Sequence, residues 1–171
     1  MTTATALQLA QVNIGRIRGP LDGPVMAGFM ARLDEINALA ERSPGFVWRL
    51  QTDEGKAPDL RPHAEDGSIL INMSVWESLE ALQQYVYKSA HVGPLRDRKQ
   101  WFEPMEGPIL ALWWVPAGHI PTVEEAKDRL AHLRQQGPSP GAFTFRTPFP
   151  PPDAESSEPA EVDAAFCEWA T

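Results

Sequence analysis

A chain of 171 residues is long enough to form one domain with a sizeable apolar core. Its single cysteine, Cys167, excludes an internal disulfide and a thiol-rich metal site within one chain. No apolar run approaches the roughly 20 residues that a membrane span requires, and the first residues, MTTATALQLA, lack the basic start of a secretory signal. We therefore expect a cytoplasmic protein without a membrane partner.

The formal net charge of -8 is concentrated near the C-terminus. Residues 147–171 contain six acidic side chains and no Lys or Arg, which leaves about -2 for the rest of the chain. A nearly neutral body lacks the basic surface of a nucleic-acid-binding protein, so we expect no nucleic-acid partner. We divide the chain into a domain at 1–146 and an acidic, proline-rich tail at 147–171.

The first predicted elements are a strand and a helix. Residues 7–14 alternate between two faces, which is typical of a β-strand. Asp22 and Pro24 predict the start of a helix, because Asp accepts hydrogen bonds from free amides and Pro fits the first helical turn. Apolar residues then recur every three or four positions until the helix ends near Ser43.

Two further strands are predicted on either side of a polar loop. Residues 45–51 alternate, with Trp48 on one face and Arg49 on the other, and residues 69–76 alternate in the same way. The segment 53–67 between them is polar and contains two prolines, so we interpret it as an exposed loop.

A second helix and a fourth strand complete the pattern. Ser78 begins a helix with an apolar stripe, and residues 109–115 are continuously apolar, like a strand that is buried on both faces. The order βαββαβ predicts an α+β fold, the ferredoxin-like unit, in which two helices cover one face of a four-stranded antiparallel sheet. The other face would be uncovered, which favours a homodimer closed by a second copy of the chain.

Two C-terminal features follow this unit. Residues 121–136 predict an extra helix, in which Thr122 and Glu125 form a capping box. Beyond it the sequence is rich in Pro and Ser, and we expect Phe143 and Phe145 to dock on the domain as an extended arm.

Strand alternation places a set of polar residues on one face of the sheet, which we take to be the open face. Polar groups that face a mostly apolar cavity are costly unless they meet a partner, so this set indicates a bound ligand or ordered water. Trp48 or Arg49, with Trp76 and Trp114, would wall such a cavity. The alternative is a solvated sheet face with cross-strand hydrogen bonds. The polar set comprises Gln11, Asn13, Asn72 and Ser74.

His91 and the basic residues after it form the second candidate region. His91 follows a helical pattern, and near a helix C-terminus it is either a general base or iron ligand, or a cap for free carbonyls. Arg96, Arg98 and Lys99 suit an anionic substrate group, although the acidic residues among them equally indicate a surface ion-pair network.

Several segments together resemble the bacterial family known as domain of unknown function 3291. They are LAQVNIGR, SPGFVWRLQ, NMSVWESLEALQQYVYKSAH with RDRKQWFEPME, and LWWVPAGHIPTVEEAKDRL. The resemblance covers most of residues 7–146. It implies a dimeric α/β barrel, the superfamily in which this family is grouped.

Within that superfamily the block around SVW also resembles antibiotic-biosynthesis and haem-degrading monooxygenases. The resemblance implies that His91 corresponds to a haem-ligating His and Asn13 to a first-strand Asn, whereas Tyr85 stands where the haem-degrading proteins have Trp. It thus implies a protein that binds a small apolar or aromatic molecule, as a cofactor-independent monooxygenase-like enzyme of secondary metabolism. The alternatives are a non-catalytic binding or sequestering protein, and a haem-binding protein.

Overall fold

An antiparallel sheet lies at the centre of the chain. The computed structural model describes residues 6–51, 68–91 and 97–152, and of residues 89–91 it describes the helical backbone but not the side chains. The predicted loop at 53–67 therefore lies outside the described residues. The strands are β1 (Leu7–Ile17), β2 (Phe46–Arg49), β3 (Ile69–Trp76), β4 (Phe102–Glu103) and β5 (Leu110–Pro116). The helices are α1 (Ala27–Arg42), α2 (Leu79–His91), α3 (Arg98–Trp101) and α4 (Val123–Gln136).

The strand order is β2-β3-β1-β5, and each neighbouring pair is antiparallel. The short strand β4 pairs with the end of β1, at Arg16 and Ile17. This order is the one that a ferredoxin-like βαββαβ chain produces, because α1 connects β1 to β2 across the position of β3, and α2 leads from β3 to β5 across β1. The predicted fold class is confirmed, whereas α3 and β4 were not predicted.

The predicted start of the first helix is wrong. Asp22 makes no cap, and α1 begins after Met26, which has no capping side chain. The chain instead forms turns over residues 21–26, and the amide of Gly23 donates to the carbonyl of Pro20 over 2.9 Å. Met26 is fully buried, so packing of this side chain sets where the helix begins.

The other two long helices begin where their capping residues predict. Ser78 Oγ accepts from the amide of Ala81 over 3.1 Å at the start of α2. Thr122 Oγ1 accepts from the amide of Glu125 at the start of α4, and Gly137, with φ of 75°, follows its last residue.

The face of the sheet that we expected to be uncovered is covered by α4 of the same chain. Ala126, Leu130 and Leu133 of α4 join a core cluster with the strand residues of this face. Those strand residues include Val12 and Met73, each 1% exposed. The expectation of an uncovered face was wrong because it did not place the extra helix on the sheet. The homodimer remains a prediction, but an uncovered sheet face no longer supports it.

The polar set lies on the opposite face, beneath α1 and α2. Gln11, Asn13, Asn72 and Ser74 line a cavity together with Leu33 of α1 and Leu82 of α2, among other residues. Our assignment of this set to an open sheet face is therefore wrong. Residues of β1 alternate between the α4 side and this helix side, as the pleat of a strand requires.

A β-bulge in β2 changes the predicted side-chain directions of that strand. Phe46 is opposite Trp76 and Trp48 is opposite Val75, so Val47 is an extra residue in the ladder. Phe46 packs with the helix-side cluster and Trp48 with the α4-side cluster. The bulge consequently turns Arg49, the next residue, towards the helix side.

The arm that follows α4 docks as predicted. Phe143 and Phe145 are 0% and 1% exposed, and Phe143 exchanges two backbone hydrogen bonds with Leu112 of β5. Trp114 Nε1 donates to the carbonyl of Phe149, which fastens the chain beyond residue 146 to the same strand.

Glu125 links α4 to the sheet. Its carboxylate accepts from Trp113 Nε1 over 2.9 Å and lies 2.8 Å from His119 Nε2. Burial by itself raises the pKa of Glu125, but the hydrogen bonds from His119 and Trp113 and the charges of His119 and Arg129 outweigh it, so the pKa lies below its usual value.

A carboxylate whose pKa is lowered by folding stabilises the protein above the pKa of the unfolded chain, and this contribution disappears as the pH falls through the folded pKa. We therefore predict that Glu125→Gln lowers the free energy of unfolding at neutral pH and that the deficit shrinks between about pH 5 and about pH 3. Urea denaturation over this range measures it. Glu124→Gln is the matched control, because the Glu124 side chain is exposed and its substitution should lower the free energy of unfolding less at neutral pH.

Candidate functional site

A partly open cavity of about 150 Å³ lies between the sheet and helices α1 and α2. This volume matches that of a cavity known to hold one benzene molecule in another protein. Most of its wall is apolar or aromatic. Its described lining comprises Gln11, Asn13, Ile14, Gly15, Phe29, Leu33, Ile36, Asn37, Ala40, Arg49, Leu70, Ile71, Asn72, Ser74, Trp76, Leu82, Tyr85, Val86, Arg98, Trp101, Phe102, Leu110 and Phe145.

A chain of hydrogen bonds runs along the sheet wall of the cavity. Trp76 Nε1 donates to Ser74 Oγ over 2.9 Å, and Ser74 Oγ donates to Gln11 Oε1 over 2.8 Å. Gln11 Nε2 then donates to Asn13 Oδ1 over 3.1 Å. The pairing of β1 with β3 produces this row, since Gln11 is opposite Ser74 and Asn13 is opposite Asn72.

The inner end of this row is closed by aromatic rings. Trp76 is fully buried, and its ring stacks on Tyr85 of α2 with centroids 5.0 Å apart. Tyr85 Oη donates to the carbonyl of Ile36 over 3.5 Å, a long hydrogen bond that reaches across to α1. These two rings therefore offer an aromatic surface to a flat ligand.

A second aromatic group closes the other end of the cavity. Phe29 of α1 packs edge-on against Phe102 with centroids 5.2 Å apart, and it is tilted against Trp101. The Phe102 ring lies directly on β1 at Gly15, where an added Cβ would come within 2.6 Å of it. A glycine is required at this position because any side chain would displace the ring.

Two arginines supply the positive charge in the cavity wall. Arg49 Nε donates to Glu41 Oε1 over 2.8 Å, but Arg49 Nη1 is buried and has no hydrogen-bond partner among the described residues. Arg98 Nη2 donates to the carbonyl of Ile14, and its guanidinium lies over the Phe102 ring. Burial lowers the pKa of Arg98 from its usual value, yet an arginine at neutral pH stays charged.

Seven of the ten predicted site residues line this one cavity, and their roles stay predictions. Trp114 does not line it, because its indole is directed to the arm at Phe149. Arg96 and the side chain of His91 lie outside the described residues. The seven are Gln11, Asn13, Arg49, Asn72, Ser74, Trp76 and Tyr85.

The sequence analysis missed Asn37 as a cavity residue. Asn37 is 8% exposed in α1 and lines the cavity. A signal was present, because Asn37 is a polar residue within the apolar stripe that includes Leu33 and Ala40. Arg98 was named in the sequence analysis as suited to an anionic group, with a surface ion-pair network as the alternative, and the structure places it in the cavity wall.

The described part of the cavity wall contains no carboxylate and no imidazole. The described residues also contain no group of three or more His, Cys, Asp or Glu that is arranged to hold a metal ion. A haem has four pyrrole rings, whereas the cavity has room for about one six-membered ring. The cavity as described does not fit a haem.

Comparison with known families identifies the chain. The family described as Domain of unknown function (DUF3291) matches residues 8–159. The chain belongs to this family. The match covers every helix and strand in the described part of this DUF3291 protein except the first residue of β1, and it extends past residue 146. A comparison with curated proteins found no match.

Three solved structures are similar to this DUF3291 protein over about two thirds of its length. SnoaB, a cofactor-independent oxygenase from Streptomyces nogalater, is 15% identical, with 66% of this chain and 95% of that chain covered and a TM-score of 0.41. NE2512, a protein of unknown function from Nitrosomonas europaea, is 12% identical (70% and 99% covered, TM-score 0.38). A monooxygenase from the gene ActVA-Orf6 of Streptomyces coelicolor, in complex with nanaomycin D, is 17% identical (69% and 95% covered, TM-score 0.37).

The identities and TM-scores of these structures are too low to support an argument about the site. The function of the site is therefore argued from the residues of this chain. Among the helices in the described ranges, none combines the length and the apolar character that crossing a membrane requires.

We predict that Ser74→Ala lowers the free energy of unfolding by about 1–3 kcal/mol, because it leaves the buried Trp76 N–H without an acceptor. In the Trp76→Phe background the same substitution should cost less, since Phe has no N–H to satisfy. Urea denaturation of the four proteins in this double-mutant cycle measures the coupling. Equal costs in both backgrounds would contradict the hydrogen-bond chain.

Proposed function

We propose that this protein binds a small, mainly apolar aromatic molecule in the cavity between the sheet and helices α1 and α2. The observation that carries the proposal is a mainly apolar cavity whose wall includes a buried cationic N–H group without a hydrogen-bond partner. Among the described residues Arg49 Nη1 is buried and unpaired, and the amide side chain of Asn37, a buried residue, lines the same cavity. Unsatisfied buried polar groups are costly, and a ligand with a polar substituent removes that cost.

The shape of the cavity supports an aromatic ligand. The rings of Trp76 and Tyr85 stack at one end, and the rings of Phe29 and Phe102 meet edge to face at the other. A ring held between them gains apolar burial and favourable ring contacts together. The hydrogen-bond chain on the sheet wall already satisfies Ser74 and Gln11, so these residues define a rigid wall and need no ligand.

Phenol is a suitable first probe, because its single ring fits the volume and its hydroxyl offers a polar group. We predict that phenol at ten times its dissociation constant stabilises the protein by about 1.4 kcal/mol. Ala40→Leu should abolish this stabilisation, since Ala40 lines the cavity and the larger side chain fills it. Thermal denaturation with increasing phenol measures the effect.

Ala31→Leu is the matched control, because Ala31 lies on the same helix but is exposed. It should bind phenol like the unchanged protein. An undiminished response in a folded Ala40→Leu protein would place phenol elsewhere and contradict the proposed site.

The second candidate is a cofactor-independent oxygenase that uses the same cavity. The two arginines in the cavity wall favour it, because positive charge stabilises the anionic form of an electron-rich substrate. In the overall reaction O₂ is the oxidant. The substrate loses two hydrogen atoms and gains one oxygen atom, which is a four-electron oxidation. O₂ accepts all four electrons, and its second oxygen atom leaves as water with the two hydrogens. A base is required, and among the predicted residues only His91 suits that role.

Native mass spectrometry of the full chain tests this candidate, because it reports a co-purified molecule and also the subunit count that the predicted homodimer requires. Incubation of that molecule with O₂ should yield a product that has gained one oxygen and lost two hydrogens. We predict that His91→Ala lowers the rate by about 100-fold or more while ligand binding is retained. Full activity of that variant would remove the role of His91, and binding without product favours a sequestering protein.

A further inference from the structure

Arg49 is a buried cation whose hydrogen bonding is incomplete within the described part of the chain. Its side chain is 12% exposed, its Nε donates to Glu41 Oε1, and its Nη1 is buried without a partner there. Buried guanidinium groups are costly unless their N–H groups are satisfied. An unsatisfied Nη1 in a cavity wall therefore indicates a group that the ligand supplies.

The surrounding fold directs Arg49 into the cavity and holds it there. The bulge at Val47 places Arg49 on the helix side, opposite Ser74. Glu41 of α1 holds Nε, and Asn37 lies one helical turn earlier on the same face of α1. Asn37 is buried, and its polar side chain lines the same cavity as Arg49.

Glu41 does not cancel the charge of Arg49 within the cavity. The Glu41 side chain is 44% exposed, whereas Arg49 is 12% exposed. Water screens the exposed carboxylate far more strongly than the buried guanidinium. The field inside the cavity is consequently positive at this position.

We propose that Arg49 and Asn37 form a subsite for the negatively charged oxygen of an aromatic ligand, either a carboxylate or a phenolate. The Arg49 Nη1 donates a charge-assisted hydrogen bond to the anion, the Asn37 amide donates a second, and the ring occupies the apolar part of the cavity. This inference rests on the proposed function, and it specifies the charge of the ligand and the residue that selects it.

Arg98 is a weaker candidate for the same role. Its guanidinium donates to the carbonyl of Ile14 and packs on the ring of Phe102. Both contacts fix it as part of the wall. Arg98→Gln therefore serves as a comparison that separates the two cations.

Benzoate and benzamide are matched probes, because they share size and shape and differ in charge. We expect the protein to bind benzoate more tightly than benzamide by about tenfold or more. Arg49→Gln should remove this preference while benzamide still binds. Arg42→Gln, an equal change of charge at an exposed position of α1, should keep it.

Glu41→Gln should act in the opposite direction. The amide oxygen still accepts from Arg49 Nε, but the nearby negative charge is removed, so the affinity for benzoate should rise. If circular dichroism shows that Arg49→Gln does not fold, benzoate binding by Glu41→Gln tests the anion subsite in its place. Unchanged or weaker benzoate binding by Glu41→Gln would overturn the proposal.

A chromophoric phenol distinguishes the two kinds of anion. Bound 4-nitrophenol should show an increased phenolate absorbance at fixed pH if the subsite accepts phenolates, and Arg49→Gln should reverse that increase. A benzoate preference without this increase assigns the subsite to carboxylates. The increase without a benzoate preference assigns it to phenolates.

Two results overturn the inference while the proposed function stands. One is binding of phenol and benzamide in the cavity with neither a benzoate preference nor a phenolate increase. The other is a preference that survives Arg49→Gln and disappears in Arg98→Gln. Failure of every probe to bind would reject the proposed function itself, and the subsite with it.

Discussion

The register between β1 and β3 is the constraint on which the rest of the structure depends. It places Gln11 opposite Ser74 on the helix side, and it places Val12 opposite Met73 on the α4 side. A slip of one residue would reverse both faces, which would bury amide and hydroxyl groups against α4. The hydrogen bond from Ser74 to Gln11 forms only in the observed register, so the polar row both depends on the pairing and reinforces it.

The cavity wall combines groups that the protein satisfies with groups that it leaves open. On the sheet, Trp76, Ser74, Gln11 and Asn13 donate and accept in one directional chain, which fixes their rotamers. Next to this row, Arg49 on β2 has a buried Nη1 without a partner in the described part of the chain. A rigid polar row beside an unsatisfied donor is the arrangement expected of a preorganised binding site.

The described wall of this cavity carries positive charge but offers few groups that could act as an acid or a base. Its described wall contains two arginines and no carboxylate or imidazole, so it favours anions but offers no evident base for proton transfer. A catalytic role therefore depends on the side chain of His91, beyond the described residues, or on a proton acceptor in the ligand. Selection of an aromatic anion needs neither, because the buried guanidinium supplies it directly.

The sequence by itself determined the features that depend on neighbouring residues. Alternation in residues 7–14 and 69–76, the caps at Ser78 and Thr122, and the order βαββαβ are local or topological, so the ferredoxin-like unit and most of the polar row followed from them. Tertiary structure alone decided the rest. The bulge at Val47 exists only in the pairing of β2 with β3, and the packing of α4 settled which sheet face is covered. Arg98 also lies in the wall of this cavity. Only the folded chain shows this, because no local sequence pattern predicts the burial of an arginine.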